Sequence, residues 1–201
     1  MPDPAAIPAP EEAARADFYA LLAALFHHAP DAKLLRTIAL APAMQGHEAL
    51  SQAWSGLVAA SAVMDGEALA QEYEALFVGV GKAKVSAYAG WYEAQAAAVP
   101  MRVRVAEELA ALGLVRPAGV NEPQDHFAAL FEAMRLLVAG GAGRAPAGLE
   151  RQRRFFEAFV RPGAGRFLAA VREAPEANYY RKVAAVGEAF LAIEVESFDL
   201  G

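Results

Sequence analysis

The chain has 201 residues and no cysteine, which excludes disulfides, thiol chemistry and cysteine-based zinc sites. Hydrophobic residues make up 56%, but much of this is alanine, and no run of about 18 residues is apolar without a charge, so no segment is expected to span a bilayer. A formal charge of -6 argues against general nucleic-acid binding and favours cationic partners. Residues 1–10 hold four prolines and read as a flexible tail; without a basic n-region or an apolar core, the start is not expected to be a secretory signal, and a cytoplasmic protein is the simplest expectation.

The predicted elements are all helical. Glu11 and Glu12 place acids at the positive end of a first helix, whose apolar positions are Phe18, Leu21, Leu22, Leu25 and Phe26 and which Pro30 stops. Asp31 caps a short helix to Leu40. A third helix from Gly46 to Met64 presents Leu50, Trp54, Leu57 and Val58, and a fourth from Asp65 to Phe77 presents Leu69, Tyr73, Leu76 and Phe77. The glycine-bearing loop Gly79–Ser86 carries two lysines, but its spacing is not that of a phosphate-binding loop and a helix precedes it. It leads to Tyr88, Trp91 and Tyr92, whose spacing would put three aromatics on one short helical face, as core or as the wall of a half-wet groove. Pro100 opens a helix to Leu112, and Gly113 stops it.

Asn121-Glu122-Pro123-Gln124-Asp125-His126 then reads as a helix start, with Asn121 as cap and Pro123 in the first turn. The helix runs through Phe127, Leu130, Phe131, Met134, Leu137 and Val138 to Gly140. Glu122, Asp125 and His126 would fall on neighbouring positions outside that stripe, at the rim of a buried face. Gly140–Gly148 reads as a linker, and a helix from Leu149 to Val160 turns Phe155, Phe156 and Phe159 inward, with the run Arg151, Arg153 and Arg154 on a solvated face. Pro162 would start a shorter helix, and a long amphipathic helix from Pro175 to Phe198 closes the chain. The expected organisation is a tail over 1–10 and one all-α domain over 11–201 of about 9–11 helices, subdivisible near 113–122.

Two carboxylates beside an apolar face suit recognition of guanidinium groups, because arginine pairs carboxylates through a rigid fork. The same residues also serve simply as helix-start acids and a locally bonded histidine. As an enzyme, the chain would use Asp125 and His126 as an acid–base pair or a metal-assisted hydrolase site; no nucleophile elbow accompanies them, and His27, His28 and His47 lack metal-ligand spacing.

Three blocks resemble the TorD/DmsD family of molybdoenzyme maturation chaperones: Glu72-Tyr73-Glu74-Ala75-Leu76-Phe77-Val78-Gly79 running on to Ser86-Ala87-Tyr88, then Glu122-Pro123-Gln124-Asp125-His126, then Tyr180, Phe190-Leu191 and Glu194. The resemblance covers roughly residues 15 to 198; Pro162-Gly163 departs from it, since the family often has Pro-Trp there. It implies an all-helical, cytoplasmic, non-enzymatic chaperone without cofactor or metal. Such a protein binds the twin-arginine signal peptide, or the apo form, of a molybdopterin-containing oxidoreductase and holds it until its cofactor is inserted. The implied signal-peptide site comprises Glu122, Pro123, Asp125 and His126, with Ser86, Tyr88, Trp91 and Tyr92 as a second wall. The family's dimers, made by exchanging helices, would use the 113–120 and 140–148 connections as hinges.

Overall fold

The computed structural model describes residues 9–79, 83–93, 98–114, 123–141 and 143–200. Among them the regular elements are the helices α1 (Pro10–His27), α2 (Ala32–Ala39), α3 (Glu48–Val63), α4 (Gly66–Tyr73), α5 (Met101–Ala111), α6 (Phe127–Ala139), α7 (Leu149–Phe155), α8 (Arg161–Glu173) and α9 (Tyr179–Leu200). Two wide π turns, Glu74–Val78 and Phe156–Val160, and one tight 3-10 turn, Ala89–Tyr92, complete them. Extended pairing among the described residues is limited to two isolated bridges, as an all-α fold requires. By packing, the described residues divide into a unit drawn from Met1–Ala23 and Tyr88–Gly163 and another drawn from Ala24–Ala87 and Ala164–Gly201.

In the second unit α3 packs on α2 and α9, and α4 also packs on α9. Local caps explain where the short helices begin: Asp31 accepts the Leu34 N–H at 2.7 Å, and Asp65 accepts those of Glu67 and Ala68. The ends of α1 and α9 are satisfied differently, by residues distant in sequence. Glu72 on α4 accepts the N–H groups of Asn178, Tyr179 and Tyr180 at 2.8, 3.1 and 2.8 Å, so one carboxylate serves the amides at the start of α9 that have no acceptor within the helix. At the end of α1, Tyr180 Oη donates to the Leu25 carbonyl and Tyr73 Oη to that of His27, both at 2.8 Å. Phe26, Phe77, Phe167 and Tyr180 pack ring against ring around this junction, with Phe26 and Phe167 centroids 4.8 Å apart. The Glu72–Phe77 block and Tyr180 are thus the framework of this unit.

In the first unit α6 is the buried element. Each expected inward position (Phe127, Leu130, Phe131, Met134, Leu137, Val138) is buried, and so are Ala128 and Ala133. α7 and the π turn after it pack on α6, burying Phe155, Phe156 and Phe159. Pro162 does not begin a separate helix: α7, the π turn and α8 run on without a break. Proline lacks an N–H and its ring crowds the preceding turn, and the π turn, in which Arg161 donates back to Phe156, widens the backbone just before it. The arginine run is also not a uniform solvated face, because Arg151 pairs with Glu108 at 2.9 Å. The glycine-rich stretch after α6 closes on itself: Gly141 and Arg144 exchange both main-chain hydrogen bonds, and the Arg144 guanidinium donates to the Gly113 carbonyl.

Candidate functional site

The segment Pro123–His126 stands before α6 rather than in it. Asn121 and Glu122, expected as cap and rim acid, lie outside the described residues. The residue that caps α6 is His126, with φ -65° and ψ 133°, whose Nδ1 accepts the Ala128 N–H at 3.1 Å. A ring nitrogen that accepts carries no proton, so the neutral imidazole holds its hydrogen on Nε2. The physical reason for the later helix start is the antiparallel bridge between His126 and Tyr88, which holds His126 extended and delays the first helical residue to Phe127. Pro123 consequently lies in the turn ahead of the helix, where its carbonyl accepts the His126 N–H at 3.3 Å.

Asp125 and His126 are therefore not rim residues on a helix face: each is 6% exposed. The Asp125 main-chain carbonyl accepts the Ala89 N–H at 2.8 Å, and its carboxylate Oδ2 accepts the Gly90 N–H at 3.2 Å. A Cβ at Gly90 would come within 2.9 Å of that same oxygen, so the close approach depends on glycine. Asp125 Oδ2 and His126 Nδ1 are thus each engaged by a main-chain amide, which argues against their acting together as an acid–base dyad.

The three aromatics do not share one helical face either. Tyr88 is extended, with φ -105° and ψ 128°, and only Ala89–Tyr92 forms the 3-10 turn. The Tyr88 ring meets His126 edge-on at 5.2 Å, the Tyr92 ring lies 5.9 Å from Phe127, and Trp91 is 66% exposed. Gly163 lets the turn sit close to the start of α8, since a Cβ there would lie 3.2 Å from Tyr92 Cβ and from Phe127 Cζ. Glu93 ties the end of the turn to α5: it pairs with Arg104, and its Oε2 accepts the Met101 N–H at 3.2 Å. α5 packs on the turn, and Val99 and Val103 at its start are also exposed.

The structure therefore brings Tyr88, Tyr92, Asp125 and His126 together around a turn that carries Trp91. Ser86 belongs to the other unit, where the neighbouring Val85 donates its N–H to the Leu76 carbonyl. Gly90 and Glu93 belong to no motif in the sequence, and Gly163, which stands there only as a departure from the family pattern, gains a packing role here. A glycine inside the aromatic run Tyr88–Tyr92 was the one available signal for the first of these. Among the described residues, no three histidine or acidic side chains converge as a metal site, and no helix is long and apolar enough to cross a membrane.

A family model described as the nitrate reductase delta subunit matches residues 44–169, which include the Trp91 turn and the Asp125–His126 segment. The crystal structure of a candidate redox enzyme maturation protein from Archaeoglobus fulgidus superposes with a TM-score of 0.58 at 22% identity, over 89% of this chain and 93% of that one. At that identity the likeness is one of fold. No curated protein matches the sequence. With the family model covering more than half of the chain, and with the all-helical architecture matched over nearly its whole length, the chain belongs to the nitrate reductase delta subunit family, and its resemblance to the TorD/DmsD chaperones is borne out.

Proposed function

We propose that the protein is a cytoplasmic maturation chaperone for a molybdopterin-containing oxidoreductase, binding its twin-arginine leader or its apo form before export. The observation that carries this reading is the family match across residues 44–169, supported by the likeness in fold to a candidate redox enzyme maturation protein. The chemistry is consistent with it. A leader of this kind offers paired guanidinium groups followed by an apolar stretch. Exposed ion pairs contribute about 0.2–1 kcal/mol each, whereas a well-buried large apolar side chain contributes roughly 1.5–3 kcal/mol. Affinity must then come mainly from apolar burial, for which the exposed Trp91, Val99 and Val103 are suited, while the negative net charge favours a cationic leader. Glu122 is the carboxylate assigned to guanidinium recognition, on the resemblance of the Glu122–His126 block.

The test is calorimetric titration with twin-arginine leaders of molybdoenzymes from the same genome, and with their Lys-Lys counterparts. One leader should bind, and its Lys-Lys form should bind more weakly. If no leader binds, capture of leaderless apoenzyme decides between recognition of the mature client and a different function.

A further inference from the structure

Asp125 is one of the two acids that the sequence suits to guanidinium binding, yet it is 6% exposed and its carboxylate is already engaged with the Gly90 amide. A carboxylate that pairs a leader arginine has to present an oxygen to the partner, and burying a guanidinium beside it would carry a desolvation cost. Meanwhile the residue it holds immediately precedes Trp91, the large side chain that the turn leaves 66% exposed. Two hydrogen bonds accepted by one residue, its main-chain carbonyl from the Ala89 N–H and its carboxylate from the Gly90 N–H, set the first half of the Ala89–Tyr92 turn. Phe127 on one side and Gly163 on the other receive Tyr92, so the turn has a seat as well as a tether.

We infer that Asp125 acts in client recognition as a positioning residue, whose carboxylate fixes the Gly90 amide so that Trp91 faces outward, and not as the charge partner of a leader arginine. This role rests on the leader-binding reading above. It goes further by making the oxygen acceptor at position 125, rather than its charge, the feature that recognition needs. Gly90 enters as the second half of the device: a Cβ 2.9 Å from Oδ2 would push the carboxylate off the amide without altering Asp125 itself.

The chain has two tryptophans, so Trp54→Phe leaves Trp91 as the sole indole reporter. In that background we would compare Asp125→Asn, Asp125→Ala and Gly90→Ala. Emission maximum and acrylamide quenching of Trp91 would be read without any peptide, and Kd by calorimetry with the twin-arginine leader and its Lys-Lys form. Asparagine keeps an acceptor oxygen but no charge. Asp125→Asn should therefore leave the Trp91 signals and the Kd within about twofold of the parent, whereas Asp125→Ala and Gly90→Ala should move the Trp91 signals together and weaken binding about tenfold. The preference for Arg-Arg over Lys-Lys should persist in all three. The inference is overturned if Asp125→Asn loses binding as fully as Asp125→Ala and the Arg-Arg preference disappears while Trp91 is unchanged. Should the parent bind no leader, the leader-binding reading fails by itself, and unchanged Trp91 quenching in Asp125→Ala and Gly90→Ala would separately refute the positioning.

Discussion

Glu72 accepts the main-chain N–H of Tyr180 at 2.8 Å, so a side chain on α4 caps a helix more than a hundred residues later in the chain. The same carboxylate takes the amides of Asn178 and Tyr179. Glu72→Ala leaves those donors without their acceptor and should cost about 2–3 kcal/mol, as expected for charge-assisted bonds at a helix start. Glu72→Gln keeps an acceptor oxygen and should lose about 1 kcal/mol. Urea denaturation of both variants measures the difference; equal losses would mean that packing, rather than capping, is what Glu72 supplies.

Stability should decline at alkaline pH because of Tyr179 and Tyr180. Burial pushes both phenols above their ordinary 10.0, Tyr180 far above it with its neighbour Tyr73 adding to the effect; for Tyr179 the Ser61 hydrogen bond partly offsets the rise. Above that ordinary value the unfolded tyrosines release protons that the folded ones keep. The native state then binds more protons, and stability falls as pH rises. The contribution is fully present below about pH 10 and is lost at up to about 1.4 kcal/mol per pH unit for each tyrosine. Tyr180→Phe should be less stable at neutral pH by about 1 kcal/mol, through loss of the Leu25 bond, yet show a shallower alkaline slope. An unchanged slope in denaturation at pH 10 to 11 would contradict the burial effect.

Capping by His126 separates two uses of its ring. Asparagine is a preferred cap residue and can accept the Ala128 N–H in place of Nδ1, but it cannot meet the Tyr88 ring edge-on. His126→Asn should cost about 0.5–1 kcal/mol from the ring contact, and His126→Ala about 1.5–2 kcal/mol from contact and cap together. Melting temperatures should rank the wild type first, Asn second and Ala last. A His126→Asn variant as unstable as Ala would show that the cap contributes little.

These residues also mark the boundary of what the sequence made legible. The apolar stripe of α6, the cap at Asp31 and the all-helical class depend on periodicity and on neighbours within a few positions, and all are observed. α6 starts later than its sequence signal because Asn121-Glu122-Pro123 is a local signal, while the bridge from His126 to Tyr88 is a long-range one. Asp125 has the sequence pattern of a rim acid for the same reason: its partner Gly90 lies 35 positions earlier, and a 3.6-residue period says nothing about that contact. Continuity through Pro162 was hidden by a π turn, which lacks a sequence signature as strong as proline's.

Trp91 is where the apolar part of recognition is most open to measurement. At 66% exposure the side chain leaves on the order of 100–150 Å² for a partner to cover, worth about 2–4 kcal/mol before ordering costs are subtracted. Truncation to alanine removes little that the fold itself buries, so Trp91→Ala should keep a near-normal melting temperature. Its effect should appear in binding and should depend on the leader. Leaders with long apolar stretches can cover the indole and should bind about ten- to hundredfold more weakly to the variant, while leaders with short ones should change by only a few-fold. The dependence on apolar length separates a platform for the leader from an incidental surface tryptophan. If long and short leaders lose the same affinity, Trp91 does not contact the apolar stretch, and the exposed Val99 and Val103 at the start of α5 become the next positions to truncate.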